Sequence, residues 1–292
     1  MKKKYILATD IGGTTYTSAL FDSNLNLIDK ISKKRINAIN SSLELYETLL
    51  SDYNRLCNKE NVIGCGISCP GPLDSELGYV YDTPNLNVIS NTKFAYEFSD
   101  MASFKVFIEN DANLFTLGEY KKNLLNNQIV LGVTLGTGLG VGLVCNGMIY
   151  RGANGQALEY ATSPFKWGKV EDGLNIESIF KLSVDYYKKK KAPKEIFNLA
   201  LKKDFKALKL WEVYGERLGL VLSHLVNITD PHKVIIGGGI SYAFNYFSNS
   251  MKKKLFEHCP SIQINSISIS ESFYKEESAL YGAAYLVSQK IR

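Results

Sequence analysis

No apolar run in this 292-residue chain approaches the roughly twenty residues that a membrane-spanning helix needs. The basic start, Met1-Lys-Lys-Lys4, is followed by Tyr5-Ile-Leu-Ala8, but Asp10 interrupts before the apolar region of a signal peptide is complete. Neither membrane nor export is therefore expected, and the cytoplasm is. Cysteine is scarce. The five thiols, Cys57, Cys65, Cys69, Cys145 and Cys259, are too few and too irregularly spaced for a disulfide framework, so reduced cysteines are expected. An acidic excess is also lacking: 34 Lys and Arg against 29 Asp and Glu leave a net charge of +5. Part of it comes from Lys188–Lys191 and Lys252–Lys254, runs without interleaved aromatics, which read as solvated faces and not as a nucleic-acid site. Two nucleotide fingerprints are missing as well. Asp10–Thr15 does not match Gly-x-Gly-x-x-Gly, and no Gly-x-x-x-x-Gly-Lys-[Ser/Thr] occurs, which argues against dinucleotide-binding and P-loop folds. What remains, with 45% hydrophobic and 22% charged residues, is an ordinary globular composition, long enough for two domains.

The chain does contain two apolar, β-branched runs that each end in a turn of glycine and threonine. The first is Tyr5-Ile-Leu-Ala-Thr-Asp10-Ile-Gly-Gly-Thr-Thr15, and the second Ile129-Val-Leu-Gly-Val-Thr-Leu-Gly136-Thr137-Gly138-Leu-Gly140. Glycine at a strand end lets backbone N–H groups approach phosphate oxygens, and threonine hydroxyls add donors to the same concavity. Asp10 beside such a turn makes sense if a divalent cation, Mg²⁺ with its waters, lies between carboxylate and phosphate. Either turn alone reads equally well as a tight hairpin. Two of them point to one polyphosphate held between similar lobes.

Three short strands are expected at 4–9, 16–22 and 26–33. A helix should follow from the capping box Ser41-Ser-Leu-Glu44, with Leu45, Leu49, Tyr53 and Leu56 as its apolar stripe. Val62–Cys69 reads as a strand stopped by Pro70-Gly71-Pro72. Val106–Glu109 is a short strand leading through Asn110-Asp111 into a helix over Ala112–Tyr120. The pattern then restarts: strands Val130–Thr134 and Gly140–Cys145, a type I′ signal at Asn146-Gly147, and a returning strand Met148–Arg151. Helices are expected near 176–191 and 205–228, a strand at Lys233–Ile236 before Gly237-Gly238-Gly239, and a last helix near Glu276–Gln289. The halves form a structural repeat more than a sequence repeat.

Asp10-Ile-Gly-Gly-Thr14, Gly66-Ile-Ser-Cys-Pro-Gly71-Pro72, Glu109-Asn110-Asp111-Ala112-Asn113, Leu135-Gly-Thr-Gly138-Leu-Gly140 and Gly237-Gly-Gly239 occur in an order that resembles the ROK family of sugar kinases and sugar-responsive repressors. The resemblance implies an α/β, two-lobed actin-like (ribonuclease H-like) ATPase fold with a cleft between lobes. It places lobes at 1–119 and 120–276, with helix 277–292 free to pack back on the first. A homodimer that takes a sugar and ATP with Mg²⁺ is the expected assembly. With nine residues before Asp10, the kinase branch fits better than the repressors, which carry a DNA-binding domain there. N-acetylmannosamine, phosphorylated at its 6-hydroxyl, is the first sugar the resemblance implies. Glucose, another hexose or N-acetylglucosamine is the alternative, and a silent sugar-binding regulator a third reading.

By the same resemblance Asp111 is the catalytic base. Asn110, Glu159, Thr162 and Glu177 should bind sugar, with Gly71 and Asn85 as further contacts. Asp10, Gly12, Gly13, Thr14, Thr15, Gly136, Thr137 and Gly138 should hold phosphates and Mg²⁺, and Gly238 and Gly239 should flank adenosine. From pattern alone, Asn110-Asp111 equally reads as a helix cap, and Glu159 and Glu177 as surface charges.

The chain departs from the family in one region. Relatives place a histidine three residues after the glutamate matched by Glu159, and that histidine joins three cysteines on a structural zinc. Here the position is Thr162, no cysteine lies between Cys145 and Cys259, and His224, His232 and His258 are far along the sequence. No zinc is expected. Phe165, Trp167, Leu174 and Ile176 are the expected substitutes, holding this segment by packing.

Overall fold

The computed structural model describes residues 4–57, 61–83, 86–123 and 125–291. They divide into two units: Met1–Leu125 with Gly147–Ala157 and Glu277–Arg292, and Asn126–Asn146 with Leu158–Glu276. In chain order the first stretch holds β1 (Tyr5–Ile11), β2 (Thr15–Asp22), β3 (Leu27–Arg35), α1 (Ser42–Leu56), β4 (Val62–Cys69), β5 (Leu73–Asp74), β6 (Tyr79–Val80), α2 (Phe94–Ala102), β7 (Val106–Asn110) and α3 (Asp111–Lys122). There follow β8 (Ile129–Leu135), β9 (Leu139–Cys145), β10 (Met148–Ile149), β11 (Pro164–Phe165), β12 (Gly168–Lys169), α4 (Ile176–Tyr187), α5 (Pro193–Leu201) and α6 (Phe205–Thr229). The last elements are β13 (Lys233–Gly237), α7 (Phe244–Phe256), α8 (Ser261–Ser266), β14 (Ser268–Glu271) and α9 (Ser278–Lys290).

The first unit is built on a sheet ordered β3-β2-β1-β4-β7. β1 runs antiparallel to β2 and parallel to β4, which is parallel to β7. Near-continuous burial of β1 and β4 is what a parallel strand covered on both faces requires. α1 starts as its capping signal requires: Ser41 Oγ accepts from Glu44 N, Glu44 accepts from Asn40 N, and Leu45, Leu49 and Tyr53 are buried. α9, the last helix of the chain, packs on α3, β1 and β4 of this unit. The contact with α3 is close because two glycines meet it. A Cβ on Gly118 would stand 2.1 Å from the Ser278 carbonyl, and one on Gly282 1.9 Å from that of Leu114.

The second unit repeats the connectivity, with strands ordered β9-β8-β13-β14, β8 antiparallel to β9 and parallel to β13. Its core gathers Leu131, Val133, Trp211, Tyr214, Leu218 and Phe247. The α/β class expected from the sequence is the class observed. Details differ. The helix expected over 176–191 ends at Tyr187, where Lys188 turns left-handed (φ 57°) and its N–H bonds to the Val184 carbonyl; Pro193 then opens α5. The returning strand expected at Met148–Arg151 is only Met148–Ile149, after a turn with positive φ at both Asn146 and Gly147.

Candidate active site

Because β1, β4 and β7 are parallel, their carboxyl ends share one edge of the first sheet, the edge at which open α/β sheets bind ligands. The register pairs Asp10 with Ser68 and Cys69 with Asn110. Ser68 Oγ donates to Asp10 Oδ1 at 2.6 Å. Burial pushes the Asp10 carboxyl up to about 6; the Ser68 bond opposes this, the Asp111 carboxylate reinforces it, and Lys33 opposes it again. Asp111 opens α3. Its own surface reaches solvent, but the protein crowding round it raises its pKa, against the Ala112 N–H that it accepts at 2.8 Å. The Cys69 thiol is held protonated by burial and by Asp111, Glu109 and Asp10. It is not a nucleophile. Two carboxylates that both resist ionisation are a donor set that a divalent cation relieves, so Asp10 fits a Mg²⁺ role.

The capping role belongs to Asn110. Its Oδ1 accepts from the N–H groups of Ala112 (2.9 Å) and Asn113 (3.3 Å), which leaves its amide nitrogen near Gly71, where a Cβ would be 3.5 Å away. The Gly71 carbonyl accepts from Thr83 Oγ1 at 2.8 Å. Asn85 lies outside the described residues. Gly12 donates its N–H to the Thr15 carbonyl at 2.9 Å, and the Thr14 carbonyl accepts from Ile36, which leaves Gly13 and Thr14 exposed at the tip.

One residue pair escapes sequence reasoning. Glu109, only 1% exposed, accepts from Asn110 N (2.9 Å), Asn113 Nδ2 (3.0 Å) and Arg151 Nε (2.6 Å), so a fully partnered carboxylate fixes the peptide that leads into Asp111. A charged residue inside a short buried strand was the available signal.

On the second unit Gly136 donates to the Gly138 carbonyl at 3.0 Å and accepts from Ile176 N at 2.9 Å, which ties the second turn to the start of α4 and so to Glu177. Thr137 is exposed at the tip. Gly238 has φ 81°, and a Cβ there would meet the Leu135 carbonyl at 2.3 Å, so β13 delivers Gly238 and Gly239 beside the same turn. Gly136 and Gly239 differ from Gly12, Gly71, Gly138 and Gly238. Nothing in the protein lies within 4 Å of where their Cβ atoms would stand, and neither has a positive φ. Neither packing nor backbone conformation demands glycine at these two positions, which leaves room for something outside the chain. Glu159 is exposed, with its carbonyl accepting from Thr162 Oγ1 at 3.2 Å. Glu177 is about half exposed and pairs with Lys190 at 3.4 Å.

A sulfur-and-imidazole zinc site does not fit residues 158–177. No cysteine stands there, and among the described residues no three His, Cys, Asp or Glu converge as metal ligands. Sequence distance misled on one point: His224 is in contact with this segment, its Nδ1 2.6 Å from the Tyr160 hydroxyl.

The repeated sheet, the acidic strand edge and the two glycine turns define an α/β protein of the actin-like class. The chain belongs to the ROK family, whose model matches residues 6–161 and 176–290. It is similar to the N-acetyl-D-glucosamine kinase of Histophilus somni, 29% identical over 85% of this chain and 88% of that protein. The glucokinase of Thermotoga maritima is 26% identical over 100% of this chain and 99% of its own. Among solved structures, a ROK family glucokinase from Streptomyces griseus, in complex with glucose and AMPPNP, shares the fold with a TM-score of 0.81 at 20% identity, covering 98% of this chain and 99% of that one.

Proposed function

We propose that this chain is an ATP-dependent sugar kinase that phosphorylates the 6-hydroxyl of an N-acetylhexosamine or hexose. N-acetylmannosamine is the first sugar that the motif resemblance implies; N-acetylglucosamine and glucose, the sugars of the relatives' names, are the alternatives. The observation that carries the reading is the pairing of Asp10 and Asp111 at one strand edge, both with raised pKa. A carboxylate whose pKa is raised toward neutrality is a better proton acceptor than an ordinary surface aspartate. Asp111 Oδ1 is engaged by the Ala112 N–H, so Oδ2 takes the proton of the sugar hydroxyl as that oxygen attacks the γ-phosphate in line. Asn110, already fixed through its Oδ1, offers its amide nitrogen to a neighbouring hydroxyl, and Glu159, Thr162 and Glu177 complete sugar recognition. The open faces of Gly136 and Gly239 give backbone N–H groups room for phosphate and nucleoside, with Gly12, Gly13, Thr14, Thr15, Thr137, Gly138 and Gly238 alongside. Asp10 would hold Mg²⁺, which when bound neutralises phosphate charge. A cytoplasmic homodimer completes the proposal.

The test is ADP release with N-acetylmannosamine, N-acetylglucosamine, glucose and fructose side by side. Turnover well above background with one of the first three is expected. Silence on all four would overturn the reading.

A further inference from the structure

Residues 158–175 carry little regular structure: a turn at Tyr160–Thr162, a two-residue ladder of Pro164–Phe165 with Gly168–Lys169, and a turn at Val170–Gly173. Such a segment orders only if side chains or a cross-link offset its backbone entropy. One face of α6 supplies the side chains. Tyr214 Oη donates to the Leu174 carbonyl at 2.7 Å in the interior. One turn on, the Arg217 guanidinium lies over the Trp167 ring at 5.7 Å. Two turns further, His224 Nδ1 meets the Tyr160 hydroxyl, and its ring lies 5.6 Å from that of Phe165. Phe165 and Trp167 pack together at 4.5 Å, and Trp167 Nε1 donates to the Val170 carbonyl at 3.1 Å. Gly173 is shaped to this cluster, since a Cβ there would stand 2.2 Å from the indole. Val170 and Leu174 seal it from below, fully buried. Its loop residues Phe165, Trp167, Val170, Gly173 and Leu174 fall within 162–175, the stretch that the family match skips.

We propose that Tyr214, Arg217 and His224 form a metal-free aromatic clamp that fixes this segment and thereby sets the position of Glu159, the residue next to Tyr160. Tyr160 and His224 are positioning residues: they act on sugar recognition through Glu159 and touch neither sugar nor ATP. The proposal rests on the sugar-kinase reading only in taking Glu159 as a sugar contact.

Four variants and one spectroscopic readout test it. Tyr160→Phe removes the hydroxyl, His224→Phe keeps a ring without the hydrogen bond, and His224→Asn keeps a polar group at the Nδ1 position. Loss of one such bond should raise the KM for the phosphorylated sugar by about three- to tenfold in the first two variants, with kcat and the KM for ATP within about twofold. His224→Asn should restore the sugar KM to within about twofold of the wild type. Unchanged sugar KM in both Tyr160→Phe and His224→Phe, or an equal loss in kcat and in the KM for ATP, overturns the positioning role. Acrylamide quenching of tryptophan fluorescence reads the clamp without any turnover. Of the two tryptophans, Trp211 is fully buried, so the quenchable signal reports Trp167. Quenching should rise in Arg217→Ala and Tyr160→Phe and be unaffected by EDTA in the wild type. Unchanged quenching in both variants, or a wild-type segment that opens on chelation with about one zinc released per chain, overturns the clamp. Should no sugar be turned over, the kinase reading fails and quenching alone decides the clamp.

Discussion

The two glycine turns sit at equivalent places in two sheets of the same connectivity, yet they carry different chemistry. In the first sheet the residue before the last of β1 is Asp10; in the second the residue before the last of β8 is Thr134. The same contrast recurs at the third parallel strand, where β7 runs into Asn110-Asp111 and β14 into Ser272-Phe273. Between the final ladder pairs, Ile11 with Tyr16 and Leu135 with Leu139, the first turn has one residue more than the second. A duplicated scaffold has thus been loaded unevenly. The carboxylates proposed to handle a proton and a cation, Asp10 and Asp111, sit on the first sheet, while the second has threonine at the strand position that matches Asp10, with the Glu171 carboxylate 3.1 Å from where a Cβ on Gly138 would stand.

The largest test of this asymmetry is Asp111→Asn. Turnover should fall by roughly a hundred- to ten-thousand-fold. Sugar affinity by calorimetry should stay near wild type; a variant that turned over normally would remove the base from the first sheet. Next comes Gly136→Ala, which adds a methyl group where the protein leaves space. The KM for ATP should rise about tenfold with an unchanged Tm, because only a ligand meets that methyl group. A fall in Tm with an unchanged KM would instead make the second turn an ordinary hairpin.

The smallest effect concerns Asp10. Its folded pKa of about 6 lies above the ordinary value of 3.8, so its contribution to stability is present in full below pH 4 and is lost as pH rises through 6. Asp10→Asn, which removes the reluctant charge, should therefore raise the Tm of the nucleotide-free protein by a few degrees at pH 8 and by almost nothing at pH 4, as scanning calorimetry would show. A lower Tm at pH 8 would mean that Asp10 is stabilised as an anion by its neighbours.

Much of this was legible because it is local. The turns, the strand ends and Asn110-Asp111 are contiguous strings whose residue types carry their own geometry. What escaped depends on separation in sequence. The contact between Tyr160 and His224 spans 64 positions, and Arg151 reaches Glu109 across 42, so no local pattern announces either. Other misses were legible in principle: Phe247, Met251 and Leu255 form an apolar stripe at helical spacing that marks α7. The split of roles at the start of α3, with Asn110 as the cap and Asp111 next to it, needed coordinates, since either side chain can cap.

The packing of α9 on α3 also sets a schedule for biosynthesis. The ribosome delivers Asp10, Asn110 and Asp111 early, but the helix that covers the far side of α3 emerges only after the whole second unit has been made. Until Gly282 reaches the Leu114 carbonyl, the nascent first unit exposes an apolar face and waits for its last piece. Protection of that face by a chaperone therefore bears on the yield of this protein.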